Sequence, residues 1–213
     1  MAMTEEYPAY LDEMEVGDER SLRARIEALT TEIATLNHAL NDARRGKKIL
    51  LIEGDALTDE VVRFLHEDLG LDVTRKARSP DGEELWLPDA EGRPWACVQV
   101  MSFDEANVGK HDVALAMLRR ASSGKDDDTP VLLVANTFRA KHAMAERDAV
   151  ISPDVTRRAA EDRILIVRTM DLVRLGQRAV NGFPAAEQLR DALASGGGWF
   201  EVDPSLNAAV RSV

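Results

Sequence analysis

From residue 22 the chain places Leu22, Ile26, Leu29, Ile33, Leu36 and Leu40 at intervals of 4, 3, 4, 3 and 4. That spacing is a heptad, with Ile26, Ile33 and Leu40 at a and Leu22, Leu29 and Leu36 at d. It predicts a helix over 20–45. β-branched residues at two of the three a positions and Leu at every d favour a parallel two-stranded coiled coil, so a homodimer through 22–40 is the expectation. The other outcome is an amphipathic helix laid on its own domain. The e and g positions (Arg23, Arg25, Thr30, Glu32, Asn37, Ala39) carry few complementary charges, so the choice of partner is weakly encoded.

After the basic connector Arg44-Arg45-Gly46-Lys47-Lys48, a hinge or a phosphate contact, the pattern changes. The apolar run Ile49–Ile52 is broken by Glu53-Gly54-Asp55. A helix follows, with Thr58 or Asp55 as its cap, Leu57, Val61, Val62, Phe64, Leu65 and Leu69 as its apolar side, and Gly70 as its end. A strand is expected near Leu71–Thr74, then a turn at Ser79-Pro80-Asp81-Gly82. The next pair of strands is a hairpin: Glu84–Leu87, turn residues Asp89 to Pro94, then Trp95–Met101. Alternation puts Trp95, Cys97, Gln99 and Met101 on one face of that second strand and Ala96, Val98 and Val100 on the other.

A helix over 110–121 leads to Val131–Ala135, a continuous apolar run of the kind buried on both faces. A helix containing Val155 and Ala159-Ala160 leads to a second such run, Ile164–Val167. Thr169 is placed to cap a helix over 170–180, and another helix spans 184–193. Trp199–Val202 is a short terminal strand or a packed tail. The alternation of helices and strands predicts a mixed α/β sheet with helices on both faces.

The 213 residues carry a net charge of -11 and a pI of about 4.9, so extended contact with a phosphate backbone is disfavoured outside a local basic patch. Residues 1–19 form an acidic tail, expected to be disordered and solvated. Cys97 is the single cysteine, which excludes an intrachain disulfide and a cysteine zinc cluster, and its strand context reads as core. No apolar run reaches membrane-spanning length and the acidic N-terminus is no signal peptide, so a cytoplasmic protein with no membrane contact is expected. His38, His66, His111 and His142 show no metal-ligand spacing. Arg119-Arg120 and Arg157-Arg158 offer anion contacts, and Trp86 and Trp95 offer stacking surfaces or ordinary strand packing.

Helix, three-strand meander, helix, buried strand is the core order of the restriction-endonuclease-like (PD-(D/E)xK) superfamily, and the stretch from Ile49 to about Trp199, within an α/β domain taken as 49–213, resembles its RecB-like branch. The resemblance rests on the helix after Gly54, the Glu84-Leu85-Trp86-Leu87 and Val98-Gln99-Val100-Met101 strands, and Val131 to Arg139 followed by Ala145-Glu146-Arg147. Arg168-Thr169-Met170-Asp171-Leu172 adds to it. It implies a mixed central sheet flanked by helices. It also implies a site built from an acid on the second strand and a Glu-x-Lys on the third. The carboxylates hold Mg²⁺, and the lysine orients the attacking water.

In that pattern Glu84 stands at the first acid, Gln99 at the second and Met101 at the lysine. A neutral amide cannot supply the second negative charge, and a thioether carries neither proton nor charge. The site is therefore degenerate. Lys110 is a candidate displaced lysine, and Asp104, Glu105, His111, Asp112, Asp59 and Glu60 are candidate replacements or ordinary solvent-facing residues. The expectation is a pseudoenzyme: a homodimeric binding or regulatory module with no cofactor. Its old cleft would hold a protein segment, a nucleotide or a nucleic-acid end. The alternative is a Mg²⁺-dependent DNA nuclease, active through Glu84 or disabled by engineered Glu→Gln and Lys→Met changes.

Overall fold

The computed structural model describes residues 17–76 and 84–202, together with the backbone of 208–211. The expected tail at 1–19 and the turn at Ser79–Gly82 lie largely or wholly outside those residues. The chain divides into two units, Met1–Arg45 and Gly46–Val213, each described by itself.

The described residues of the first unit form one helix, α1 (Glu19–Arg45). All six heptad residues are exposed, between 45% and 64%. Thr30, Thr31 and Thr35 turn their hydroxyls back onto the carbonyls four residues earlier, at 2.7 to 3.0 Å. This satisfies the hydroxyls within the helix and leaves the Leu/Ile stripe facing solvent.

The second unit is a mixed α/β layer structure. It opens with a 3₁₀ turn, Gly46–Leu50, which buries Ile49 and Leu50. Helix α2 (Gly54–Arg63) continues into a π turn, Phe64–Asp68. Glu53 precedes the helix and no side chain caps it. The expected cap Thr58 instead donates to Gly54 O at 3.2 Å. Gly70 ends the segment at φ +69, where a side chain would be strained.

The strands are β1 (Thr74–Lys76), β2 (Glu84–Pro88), β3 (Pro94–Ser102), β4 (Val131–Asn136), β5 (Ile164–Arg168), β6 (Gly198–Val202) and β7 (Ala208–Arg211). They lie in the sheet in sequence order. β1, β2 and β3 are antiparallel neighbours, β3 to β6 are parallel, and β7 returns antiparallel. β1 begins three residues later than Leu71–Thr74 predicts. Leu71 is fully buried as a core residue just after Gly70, so it packs before the strand begins.

The intervening helices are α3 (Lys110–Ser122), α4 (Met144–Arg147), α5 (Pro153–Glu161), α6 (Thr169–Ala179) and α7 (Ala185–Ala194). α2, α6 and α7 cover one sheet face with Leu85, Leu87, Val98, Leu132, Val134, Leu165 and Val167. α3 and α5 cover the other with Trp86, Cys97, Leu133, Ala135, Ile164 and Ile166. β4 and β5 thus lie between two helical layers, which is why every residue of both strands is buried. Trp95 departs from the alternation expected of it and packs with the α2 side. The register shifts at Leu87/Pro88, and such a bulge re-aims the neighbouring side chain.

Among the described residues, no helix is long and apolar enough to cross a membrane.

Candidate functional site

β2 and β3 set the positions that the sequence singles out. Leu85 pairs with Val98, and one further step in the same register puts Glu84 opposite Gln99. Gln99 pairs in turn with Leu133, and Met101 with Ala135, on β4. Glu84, Gln99 and Met101 therefore share the sheet face that α3 covers.

Gln99 is only 7% exposed. Its Nε2 donates to Ala116 O on α3 at 3.0 Å and lies 3.9 Å from Cys97 Sγ. Its Oε1 has no hydrogen-bond partner. Leaving a buried acceptor unpaired costs about 1–3 kcal/mol, so packing alone gives no reason for a Gln here. Met101 packs against the α3-side core together with Phe103 and Met117. Glu84 is half-buried and accepts from Trp86 Nε1 at 3.3 Å. Lys125 sits over the Trp86 ring, 4.8 Å from its centroid.

The candidate replacements do not converge on this face. Lys110 Nζ bonds Asp154 on α5 at 3.2 Å. That bond and the lysine's charge, with Arg157 beside it, hold Asp154 below the usual carboxylate range. Asp112 accepts from the Gly109 amide at 2.8 Å at the start of α3. Asp59 is paired with Arg75 at 2.6 Å and Glu60 with Arg63 at 2.7 Å. Asp104 is held by Arg139, which also pairs with Glu53 at 2.6 Å.

Mg²⁺ wants near-octahedral oxygen ligands that carry charge. The face offers one carboxylate, Glu84, and one neutral amide oxygen. Among the described residues no group of three or more His, Cys, Asp or Glu side chains could hold a metal ion. The residues in place do not fit Mg²⁺.

A second polar cluster lies at the carboxyl ends of β4 and β5, where the sequence suggests only a motif likeness. The connection after β4 runs to α5 on one face, and the connection after β5 runs to α6 on the other. In open α/β sheets this divergence creates the crevice where ligands bind. Here it is filled by the chain itself.

Asn136 donates to Ile52 O at 3.0 Å and accepts from Thr169 Oγ1 at 3.0 Å and Arg147 Nη2 at 3.1 Å. Thr169 thus anchors to Asn136 and does not cap α6, contrary to the sequence expectation. Arg147 also donates to Leu50 O. Its burial, then the like charge of Arg139, lower its pKa from the ordinary guanidinium value.

Arg168 and Asp171 are both fully buried and meet at 2.7 and 3.1 Å. Asp171 also accepts from Trp199 Nε1 at 3.3 Å and Val202 N at 3.2 Å. The Arg168 guanidinium stacks 4.6 Å from the Trp199 ring centroid. Asp148 joins Arg168 at 3.1 Å and Arg174 at 2.7 Å. Burial pushes the Asp148 carboxyl up, but the hydrogen bonds and charges of Arg174 and Arg168 outweigh it and hold the pKa low. The only advance signal in the sequence was polar residues placed directly after two fully apolar strands. The cluster ties α4, α6 and β6 to the sheet.

The fold and these two clusters define a mixed α/β protein with one closed polar position on β3 and one self-satisfied ionic knot. No protein-family model, curated protein or solved structure matches the chain.

Proposed function

We propose that the α/β unit is a restriction-endonuclease-like domain without nuclease chemistry, and that the chain acts as a homodimeric binding or regulatory module. The observation that carries this reading is the buried bond from Gln99 to Ala116 O. It sets a helix carbonyl oxygen directly against the side chain that a metal-binding carboxylate would replace. Met101, two residues on, is committed to the same core. The element order supports the scaffold: helix, antiparallel three-strand meander, helix, parallel buried strand. The unpaired Oε1 of Gln99 is what a polar site leaves behind when a helix closes over it. With a net charge of -11, a protein segment is the preferred ligand over a nucleotide or a nucleic-acid end.

A second reading is favoured by Glu84 standing opposite Gln99 on one face. It is a Mg²⁺-dependent DNA nuclease using Glu84, either active or disabled by substitution at 99 and 101. Incubation with single- and double-stranded DNA in Mg²⁺ and Mn²⁺ separates the two. The pseudoenzyme produces no cleavage under any condition. Metal-dependent cutting that Glu84→Ala abolishes overturns the first reading and establishes the second.

A further inference from the structure

We infer that the partner of α1 is a second copy of the same helix, lying parallel and in register. This rests on the dimeric part of the function proposed above and adds the charge comparison that separates parallel from antiparallel pairing. Most helical stability in proteins comes from packing an apolar face. α1 holds Thr30, Thr31, Thr35, Asn37, His38 and Asn41, none of them strong helix formers, while all six of its stripe residues stay exposed. The stripe is thus a face that needs a cover.

Its composition makes it complementary to itself. β-branched Ile at a with Leu at d is the pattern of parallel two-stranded coils. The charges then separate the two orientations. In a parallel pair each g position faces the e position five residues on in the other copy. Asp18, directly before α1, faces Arg23. Arg25 faces Thr30, Glu32 faces Asn37, and Ala39 faces Arg44. One opposite pair forms on each side and no like charges meet.

The antiparallel register that covers all six apolar residues matches Leu22 with Leu40, Ile26 with Leu36, and Leu29 with Ile33. That register sets Glu32 against Glu32 of the other copy, on the symmetry axis at the middle of the coil. Like charges there disfavour it. Parallel pairing also delivers both chains to Gly46 at the same end of the coil.

Cysteine reporters in the full-length chain test this, because native Cys97 is buried and does not compete. Sedimentation equilibrium of the unmodified chain comes first, with a concentration-dependent dimer expected. Leu22→Cys alone should then oxidise to a covalent dimer, and a mixture with Leu40→Cys should yield 22–22 and 40–40 links only. A sedimenting dimer whose cross-links are 22–40 overturns the orientation and leaves the dimer standing. A monomer, or a trimer or tetramer, at high micromolar concentration overturns the inference and the dimeric part of the function with it.

Discussion

Gln99→Glu introduces the carboxylate that a nuclease site would need, and its energetics reveal what kind of position residue 99 occupies. On this buried side chain the donor to Ala116 O becomes an oxygen, 3.0 Å from a carbonyl oxygen. An ionised carboxylate there has no donor and no cation. The folded state therefore keeps the carboxyl protonated, and its OH takes over the bond to Ala116 O.

The unfolded state ionises with a pKa of about 4.3, so holding the group neutral at pH 7 costs about 3.7 kcal/mol, from 2.7 pH units at about 1.36 kcal/mol each. The folded pKa lies above the unfolded one, so the folded state binds the extra proton. The variant is then close to the native chain below about pH 4, and falls behind by about 1.4 kcal/mol for each pH unit above it. The loss levels off once pH passes the folded pKa. Gln does not titrate, so the difference in urea midpoint between variant and native chain, taken from pH 4.5 to 7.5 at constant m-value, isolates the new carboxyl. A difference that is flat with pH, or a variant that Mg²⁺ stabilises, would refute the reasoning. Either result means position 99 accepts a charged carboxylate and is open to a cation.

Two further substitutions probe the scaffold. Asp171→Asn should cost about 3–5 kcal/mol in urea unfolding, because it strips a buried guanidinium of its main counter-charge. Removing both charges with Arg168→Met and Asp171→Asn, which keeps an acceptor for Trp199 and Val202, should cost less than the single change, and a larger loss in the double variant would contradict the ion-pair account. Gly176→Ala would place a Cβ 2.5 Å from Phe64 Cζ, so it should destabilise by about 1–3 kcal/mol despite the better helix propensity of Ala. Phe64→Leu added to it should recover part of that loss, and simple additivity of the two changes would argue against the clash.

The parts of the fold that were legible in the chain are those where one periodicity dominates. Val131–Ala135 and Ile164–Val167 are apolar at every position, as a short strand between two helical layers requires. The heptad of α1 and the alternation of Cys97 to Val100 are equally direct. What was hidden depends on contacts between distant segments. Trp95 faces the α2 side because it is the extra residue where β3 bulges against Leu87 and Pro88 of β2. Thr169 looks like a cap until Asn136, 33 residues away, supplies its partner. α4 is four residues long and is tied in by Arg147 to Asn136 and Leu50, with no period of its own to betray it. At the candidate site, the sequence identified Gln99 as out of place. It did not show that Ala116 O lies against it, which is the fact that closes the position.

The sequence-ordered sheet carries a consequence for how the molecule is made. Every strand lies beside its immediate predecessor, so no strand has to be threaded between two that are already paired. During vectorial synthesis the β2–β3 hairpin closes locally, and each later strand docks on an edge that is already waiting for it. Pairing is local in the antiparallel stretches, while β3 to β6 are parallel, so each of those joins needs a crossover and costs more loop-closure entropy. The weakest of these joins is β5 to β6, which rests on only two paired residues. Assembly should therefore finish there, with Asp171 accepting from Trp199 and Val202 as the last latch to engage.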